Sequence, residues 1–366
     1  MNATQSLHAL GQSLWLDQIT RDLLNNGTLA RYIRDLSVTG LTSNPTIFDK
    51  AISDSHSYDD AIRNLALAGE SGEALFFNLA LEDLGQAADL FRPVHEATDG
   101  IDGWVSLEVS PLIANDTEAT VGSAGQLHAR MRRPNVLIKI PGTQAGISAI
   151  EQVIFAGIPV NVTLLFSSEQ YVAAAEAYMR GLERRVAAGL DARVGSVASI
   201  FVSRWDVAVK DRVPPELRNR LGIAIAMQTY QAYRALLAGA RWQKLAAAGA
   251  RPQRVLWAST GTKDKAARDV LYVEALAAPD TVNTMPEQTL LAFADHGHVQ
   301  GVLSATAGDD AAAVLADFSR RGIDTAALGA QLQREGAEAF ATSWRDLMSS
   351  IASKSAQTVS RAAQQR

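Results

Sequence analysis

The chain has no cysteine, and this absence excludes several classes of protein and site. Without thiols the protein forms neither disulfides nor thiolate metal sites, and it has no cysteine nucleophile. No apolar run approaches the roughly 18 residues of a membrane-spanning helix. Residues 1–12 lack the basic-then-apolar pattern of a signal peptide. These absences predict a cytoplasmic protein.

The chain also lacks an excess of positive charge, since 34 Lys and Arg stand against 39 Asp and Glu and the net charge is −5 at pH 7. This balance argues against nucleic acid or an anionic membrane as the main partner. No Walker A or Rossmann glycine fingerprint occurs, so we expect no nucleotide cofactor. The six histidines show no convincing metal-ligand spacing, and we expect no metal. The sequence leaves the oligomeric state open, with a homodimer as one option.

What the chain does contain is a regular alternation of apolar strand-like segments and amphipathic helices. With 47% hydrophobic and 20% charged residues, it can bury a large core. Such alternation is typical of βαβ units in a parallel sheet. Eight strands without a linker favour one closed (β/α)8 TIM barrel over residues 1–366. The predicted strands are 13–19, 38–44, 104–110, 135–140, 159–165, 197–203, 254–259 and 281–285.

Extra helices are predicted inside and after this barrel. The stretch 57–92 reads as two helices and 205–249 as another long helical stretch, beyond what a minimal barrel needs. A helical C-terminal region is expected at about 287–354, followed by a polar tail, 355–366, that is expected to fray. The remaining predicted helices are 20–35, 116–131, 143–155, 168–188 and 263–276.

Lys139 is the most unusual residue, because it is a lone amine in the apolar strand 135–140. A buried ammonium costs several kcal/mol unless it is paired or loses its proton. A neutral amine is the form that attacks a carbonyl carbon. The alternative is a strand-end lysine whose amine reaches water.

Polar residues recur in phase at the ends of the other predicted strands as well. In a TIM barrel these ends and their inward faces carry the chemistry. Any one of them could be an ordinary solvent-facing side chain, but the joint pattern on successive strands indicates a common site. They are Asp17, Thr42, Asn44, Ser106, Glu108, Ser110, Asn161, Thr163, Ser199, Phe201, Arg204, Trp257 and Ser259. Glu108 is the candidate for moving protons near Lys139, directly or through a water held by Thr163.

Five segments around the predicted strand ends carry distinctive motifs: Trp-Leu-Asp at 15–17, Thr-Ser-Asn-Pro-Thr at 42–46, Ser-Leu-Glu-Val-Ser at 106–110, Leu-Ile-Lys-Ile-Pro-Gly-Thr at 137–143 and Asn-Val-Thr-Leu-Leu-Phe at 161–166. In order and spacing these segments resemble transaldolase. The downstream segments 199–204, 257–263 and 282–286 are similar to the longer bacterial branch of that family, and the resemblance covers about residues 13–300.

The resemblance implies a class I aldolase-type barrel of the non-oxidative pentose phosphate pathway. Such an enzyme moves a dihydroxyacetone unit from sedoheptulose 7-phosphate to glyceraldehyde 3-phosphate, giving erythrose 4-phosphate and fructose 6-phosphate. By similarity Lys139 forms the Schiff base, while Glu108, Thr163 and Asp17 handle protons. Thr42, Asn44, Asn161 and Ser199 hold the dihydroxyacetone part, and Phe201 stands where fructose 6-phosphate aldolases carry tyrosine.

This chain departs from the better-known short transaldolases at two places. Where those bind phosphate with a serine and a second arginine after strand seven, Ser259 is followed by Thr-Gly-Thr-Lys. We expect Arg204, Ser259 and Lys263 to bind phosphate, with Lys265 as the alternative to Lys263. The loop after strand seven is expected to open a helix, whose backbone N–H groups suit an anion. The short members also have aspartate where this chain has Ser110.

Two other functions fit the same residues. A simple aldolase, such as fructose 6-phosphate or deoxyribose-phosphate aldolase, uses a barrel lysine but needs no acceptor sugar. A non-catalytic sugar-phosphate binding protein would bind ligand without forming an adduct that borohydride traps. A transaldolase forms product only when an acceptor aldose phosphate is added, which separates it from a simple aldolase. Formation of the adduct separates both enzymes from a binding protein.

Overall fold

The strands of the protein form one closed parallel barrel in chain order, with the last strand hydrogen-bonded to the first. The structure is a computed structural model that describes residues 2–299, 301, 303 and 307–364. This architecture confirms the predicted (β/α)8 TIM barrel. The strands are β1 Gln12–Asp17, β2 Val38–Thr42, β3 Val105–Glu108, β4 Val136–Pro141, β5 Val160–Leu165, β6 Ser196–Phe201, β7 Arg254–Ala258 and β8 Thr281–Met285.

Helices surround the barrel and also cover part of its upper face. No described helix is long and apolar enough to cross a membrane. The helices are α1 Ala3–Ala9, α2 Arg21–Asn25, α3 Thr28–Leu36, α4 Pro45–Ser53, α5 Asp59–Leu67, α6 Gly72–Ala97, α7 Thr117–Met131, α8 Gln144–Phe155, α9 Ser168–Ala187, α10 Ser203–Val209, α11 Leu221–Ala238, α12 Ala240–Ala247, α13 Leu271–Ala275, α14 Glu287–His296, α15 Ala307–Arg320 and α16 Thr325–Gln364.

Several helices differ from their predicted extents. The stretch 20–35 is two helices, because Gly27 between them has a φ of 77°. The stretch 205–249 is divided into α10, a short 3-10 turn, α11 and α12. Of 263–276 only Leu271–Ala275 is helical. At the C-terminus α16 continues to Gln364, through most of the segment 355–366 that was expected to fray.

Alternation along the strands places one set of side chains inside the barrel. Trp15 and Gly40 pair across β1 and β2, and a Cβ on Gly40 would lie 2.6 Å from the Trp15 ring. Glycine at this position therefore lets a tryptophan fill the barrel interior. Trp257 was predicted to point toward the site, but it packs in the cluster between barrel and helices. Its neighbours Leu256 and Ala258 share the interior cluster with Trp15 instead.

A buried polar network closes the lower end of the barrel. Trp15 Nε1 donates to Asp102 Oδ1 at 2.8 Å, and Arg254 Nη1 donates to Ser13 Oγ at 2.7 Å. Ser13 in turn donates to Asp102. The polar side chains at the opposite end, where the strands have their carboxyl termini, line a separate pocket.

Candidate active site

One pocket lies at the carboxyl ends of the barrel strands, where the sequence predicts the site. Of the twelve predicted site residues, Glu108 and Asn161 lie just behind the pocket wall, hydrogen-bonded to Lys139 and Ser199 respectively. The other ten line it directly: Asp17, Thr42, Asn44, Lys139, Thr163, Ser199, Phe201, Arg204, Ser259 and Lys263.

Lys139 occupies the centre of this site. It lies on β4 directly opposite Glu108 on β3 and Asn161 on β5. Its side chain is 6% exposed, and Nζ donates to Glu108 Oε2 and to the Ser43 carbonyl oxygen, both at 3.0 Å. The amine therefore has a carboxylate partner and does not reach out to bulk water, which was the alternative for a strand-end lysine.

Glu108 and Thr163 each present an unused hydrogen-bonding atom near this amine. Burial raises the pKa of Glu108, although the nearby Lys139 charge opposes that effect. Among the described residues, Glu108 Oε1 and Thr163 Oγ1 have no hydrogen-bond partner. Buried oxygens of this kind need a partner, so both atoms are suited to bind a water molecule or a substrate hydroxyl.

Asp17 is the second carboxyl group of the pocket and lies at the end of β1. Thr42 Oγ1 lies 2.7 Å from Asp17 Oδ1 and 2.6 Å from Thr284 Oγ1, so the two threonines fix its orientation. Burial raises the pKa of Asp17, while Lys139, Thr42 and Lys263 act in the opposite direction. A carboxyl group with a raised pKa can exchange protons nearer neutral pH than an ordinary aspartate.

Amide side chains on two sides of the pocket are held in fixed orientations. Ser199 Oγ donates to Asn161 Oδ1 at 2.7 Å, and Asn161 Nδ2 donates to Ser106 Oγ at 3.0 Å. Asn44 is the N-cap of α4 and accepts from Ile47 N at 3.1 Å. Because that bond uses the Asn44 carbonyl oxygen, its amide donors remain for a ligand in the pocket.

Basic side chains besides Lys139 also line the pocket. The Arg204 guanidinium lies 5.1 Å from the Phe201 ring centroid, and burial lowers the pKa of Arg204 without removing its charge. Ser259 Oγ lies 2.9 Å from Ser203 Oγ. Lys263 lines this same pocket.

The loop around Lys263 corrects one sequence-based expectation. This loop was expected to open a helix, but residues 259–270 form turns and bends, and α13 begins only at Leu271. The Lys263 side of the pocket is therefore formed by an irregular loop and not by the N-terminus of α13. Lys265, the alternative lysine, lines a neighbouring surface pocket instead.

Sequence reasoning missed some residues of the pocket. Thr284 carries the same signal as the predicted residues, a polar side chain in phase near the end of an apolar strand, and it could have been found that way. Phe340 comes from α16, and nothing in the local sequence marks it as part of a site. Ser110, in contrast, donates to Glu73 Oε1 at 2.8 Å and does not line the pocket.

Comparison with known proteins shows the family to which the chain belongs. Residues 14–351 match the family model described as Transaldolase/Fructose-6-phosphate aldolase. The chain belongs to this transaldolase family. A transaldolase of Parafrankia sp. is 46% identical over 354 residues, which cover 94% of this chain and 96% of that protein.

Two other relatives show a similar degree of likeness. A transaldolase of Saccharopolyspora erythraea is 45% identical, covering 96% of this chain and 98% of the relative. One from Thiobacillus denitrificans is 44% identical, covering 96% and 100%. The likeness thus includes the barrel, the inserted helices and the C-terminal helical region.

Proposed function

We propose that this protein is a transaldolase that moves a dihydroxyacetone unit from sedoheptulose 7-phosphate to glyceraldehyde 3-phosphate. The observation that carries the proposal is the buried contact of 3.0 Å between Lys139 Nζ and Glu108 Oε2, in a pocket that Arg204 and Lys263 also line. An amine, a proton-exchanging acid and an anion site in one pocket fit a phosphorylated ketose.

The first step joins the substrate to Lys139. Glu108 takes a proton from the ammonium group, and the neutral amine attacks the ketone carbon C2. Glu108 then returns a proton to the C2 hydroxyl of the carbinolamine, which leaves as water and gives the iminium ion. Thr163 Oγ1 is free to hold the departing water, since it has no partner among the described residues.

The second step breaks the bond between C3 and C4. Asp17 removes the proton of the C4 hydroxyl, C4 becomes the aldehyde carbon of erythrose 4-phosphate, and the electron pair of the broken bond forms an enamine on Lys139. The iminium nitrogen acts as the electron sink for this cleavage.

The third step passes the three-carbon unit to the acceptor. The enamine carbon attacks the aldehyde carbon of glyceraldehyde 3-phosphate, and Asp17 gives its proton to the new C4 oxygen. Water then adds to C2, the bond from C2 to Lys139 breaks, and fructose 6-phosphate leaves. In this assignment Thr42, Asn44, Asn161 and Ser199 hold the dihydroxyacetone part, while Arg204, Ser259 and Lys263 bind the phosphate.

We further infer a cytoplasmic location, because phosphorylated sugars are charged metabolites that do not cross membranes freely. A homodimer stays a prediction, which light scattering of the purified protein would test.

The experiment that tests the function is reductive trapping. Borohydride reduction of the protein with fructose 6-phosphate should leave a dihydroxyacetone-derived adduct on Lys139, visible by peptide mass spectrometry. Lys139→Ala should lose both adduct and turnover, whereas Lys263→Ala should keep the adduct. An adduct on another lysine would overturn the assignment. A simple aldolase would form product at the same rate without acceptor.

A further inference from the structure

Helix α16 crosses the upper face of the barrel next to the pocket. Gly329, Gln333, Gly336 and Phe340 are spaced four, three and four residues apart, so they share one face of the helix. Gln333 Nε2 donates to the carbonyl oxygens at the ends of β4 and β5, Gly142 O and Leu164 O, both at 2.9 Å. These bonds tie the helix to the strand that carries Lys139.

Gly336 allows this close contact. A Cβ at Gly336 would lie 2.9 Å from Leu164 Cδ2 and 3.2 Å from Arg204 Nη1. A side chain here would have to displace the strand-end leucine or the guanidinium. The approach of the helix brings Phe340, one turn further on, into the pocket.

The other end of α16 is fixed to the inserted helices. Trp344 Nε1 donates to Glu73 Oε1 at 2.9 Å, and the Trp344 ring packs edge-on against Phe76 with centroids 4.9 Å apart. Lys354 Nζ lies 2.7 Å from Asp59 Oδ1. Contacts on both sides of Phe340 therefore hold its ring in one place.

Phe340 lies over the reactive amine. The ring is 5% exposed, and its centroid is 5.6 Å from Lys139 Nζ and 6.0 Å from Arg204 Cζ. The aromatic face is thus directed at the atom that becomes the iminium nitrogen. An apolar ring at this position displaces water, and its face attracts a cation.

We propose that Phe340 keeps water away from the three-carbon enamine on Lys139, so that this unit is transferred rather than released. The proposal rests on the function proposed above. In the competing release reaction, the enamine carbon takes a proton to give the iminium ion and water adds to C2. The bond from C2 to the Lys139 nitrogen then breaks, leaving free amine and dihydroxyacetone. Phe340 makes no bond to the substrate in either reaction. Its ring only limits how close water comes to the Lys139 nitrogen.

The test compares transfer with release in the full-length protein. Fructose 6-phosphate serves as donor, and erythrose 4-phosphate is added or withheld. Sedoheptulose 7-phosphate and free dihydroxyacetone are measured in the same samples. Phe340→Ala should raise the ratio of released to transferred product about tenfold or more, because the smaller side chain lets water reach the reactive intermediate on Lys139. Phe340→Leu keeps apolar bulk and should give a smaller rise.

Met348→Ala is the matched control, since Met348 lies on the same helix and packs against the outer core rather than the pocket. Its ratio should equal that of the unchanged protein. An unchanged ratio in Phe340→Ala, or an equal rise in Met348→Ala, would overturn the proposal. If Phe340→Ala does not fold, an unchanged ratio in Phe340→Leu overturns it. Absence of a trapped adduct in the unchanged protein would instead refute the proposed function.

Discussion

Glu108→Gln isolates proton transfer from the other roles of this carboxyl group. Glutamine has the same shape and keeps an oxygen that accepts a hydrogen bond from Lys139 Nζ, now 3.0 Å from Glu108 Oε2. It cannot exchange a proton in the carbinolamine steps. General acid–base catalysis contributes about 10²–10⁴ in rate, so kcat should fall by that factor, equivalent to about 3–5 kcal/mol of barrier. KM should change little, because the phosphate end of the pocket is untouched.

The same substitution affects stability and pH dependence. It removes one partner of a buried ion pair, which costs up to about 3–5 kcal/mol of unfolding free energy, so kinetics should be measured well below the melting temperature of the variant. Burial raises the pKa of Glu108. A base must be deprotonated to act, so activity of the unchanged protein should decline as pH falls, beginning above the usual range of a carboxyl group.

Steady-state assays should follow transfer with a coupled measurement of the released aldose phosphate. Glu118→Gln is a suitable control, because Glu118 is exposed in the first turn of α7. It should leave both kcat and the pH profile unchanged. If Glu108→Gln keeps kcat within about threefold and retains the acidic decline, Glu108 does not carry the proton and the reasoning fails.

Three other predictions concern the anion site, the barrel interior and a buried acid. Arg204→Ala should raise KM for phosphorylated donors roughly ten- to hundredfold, as for a lost charged hydrogen bond, and equal effects on an unphosphorylated ketose would exclude a phosphate role. Gly40→Ala should lower the unfolding free energy by about 1–3 kcal/mol through overpacking against Trp15, whereas Gly85→Ala should not, because a Cβ added at Gly85 would meet no other atom within 4 Å. Burial raises the pKa of Asp206 to about 6, so the folded state binds its proton more tightly than the unfolded state; the resulting stabilisation is complete below about pH 4 and is lost as pH rises through about 6. Denaturant titrations from pH 4 to 7 should show this decline in the free energy of unfolding. The decline should be smaller in Asp206→Asn, and an equal decline in that variant would contradict the assignment.

The barrel and most of the site could be predicted because both follow local rules. Strand–helix alternation sets the order of a parallel barrel, and the two-residue period of each strand decides which side chains share a face. Lys139 and Glu108 were predicted to be neighbours, and the parallel register of β3 and β4 places them directly opposite each other. Trp257 shows the limit of such reasoning, since a tryptophan fits either face of a buried strand.

The sequence pattern also could not predict where the regular strand and helix backbone is interrupted. Ser259 has a φ of 56°, which interrupts the alternation after β7 and returns a side chain to the pocket. The loop that follows carries helix-compatible residues, yet only five of them, Leu271–Ala275, form a helix. Local propensity is a weak guide where tertiary contacts fix the chain.

The sequence by itself determined the strand order, the buried amine and its acidic neighbours, because each depends on residue type and short-range spacing along one strand. Only the tertiary structure decided that Phe340, some two hundred residues beyond Lys139, covers that amine. The position of α16 depends on the closeness allowed by Gly336 and on packing of Trp344 against inserted helices. Contacts between segments so far apart in sequence produce no repeating pattern of residue types, so only the folded structure shows them.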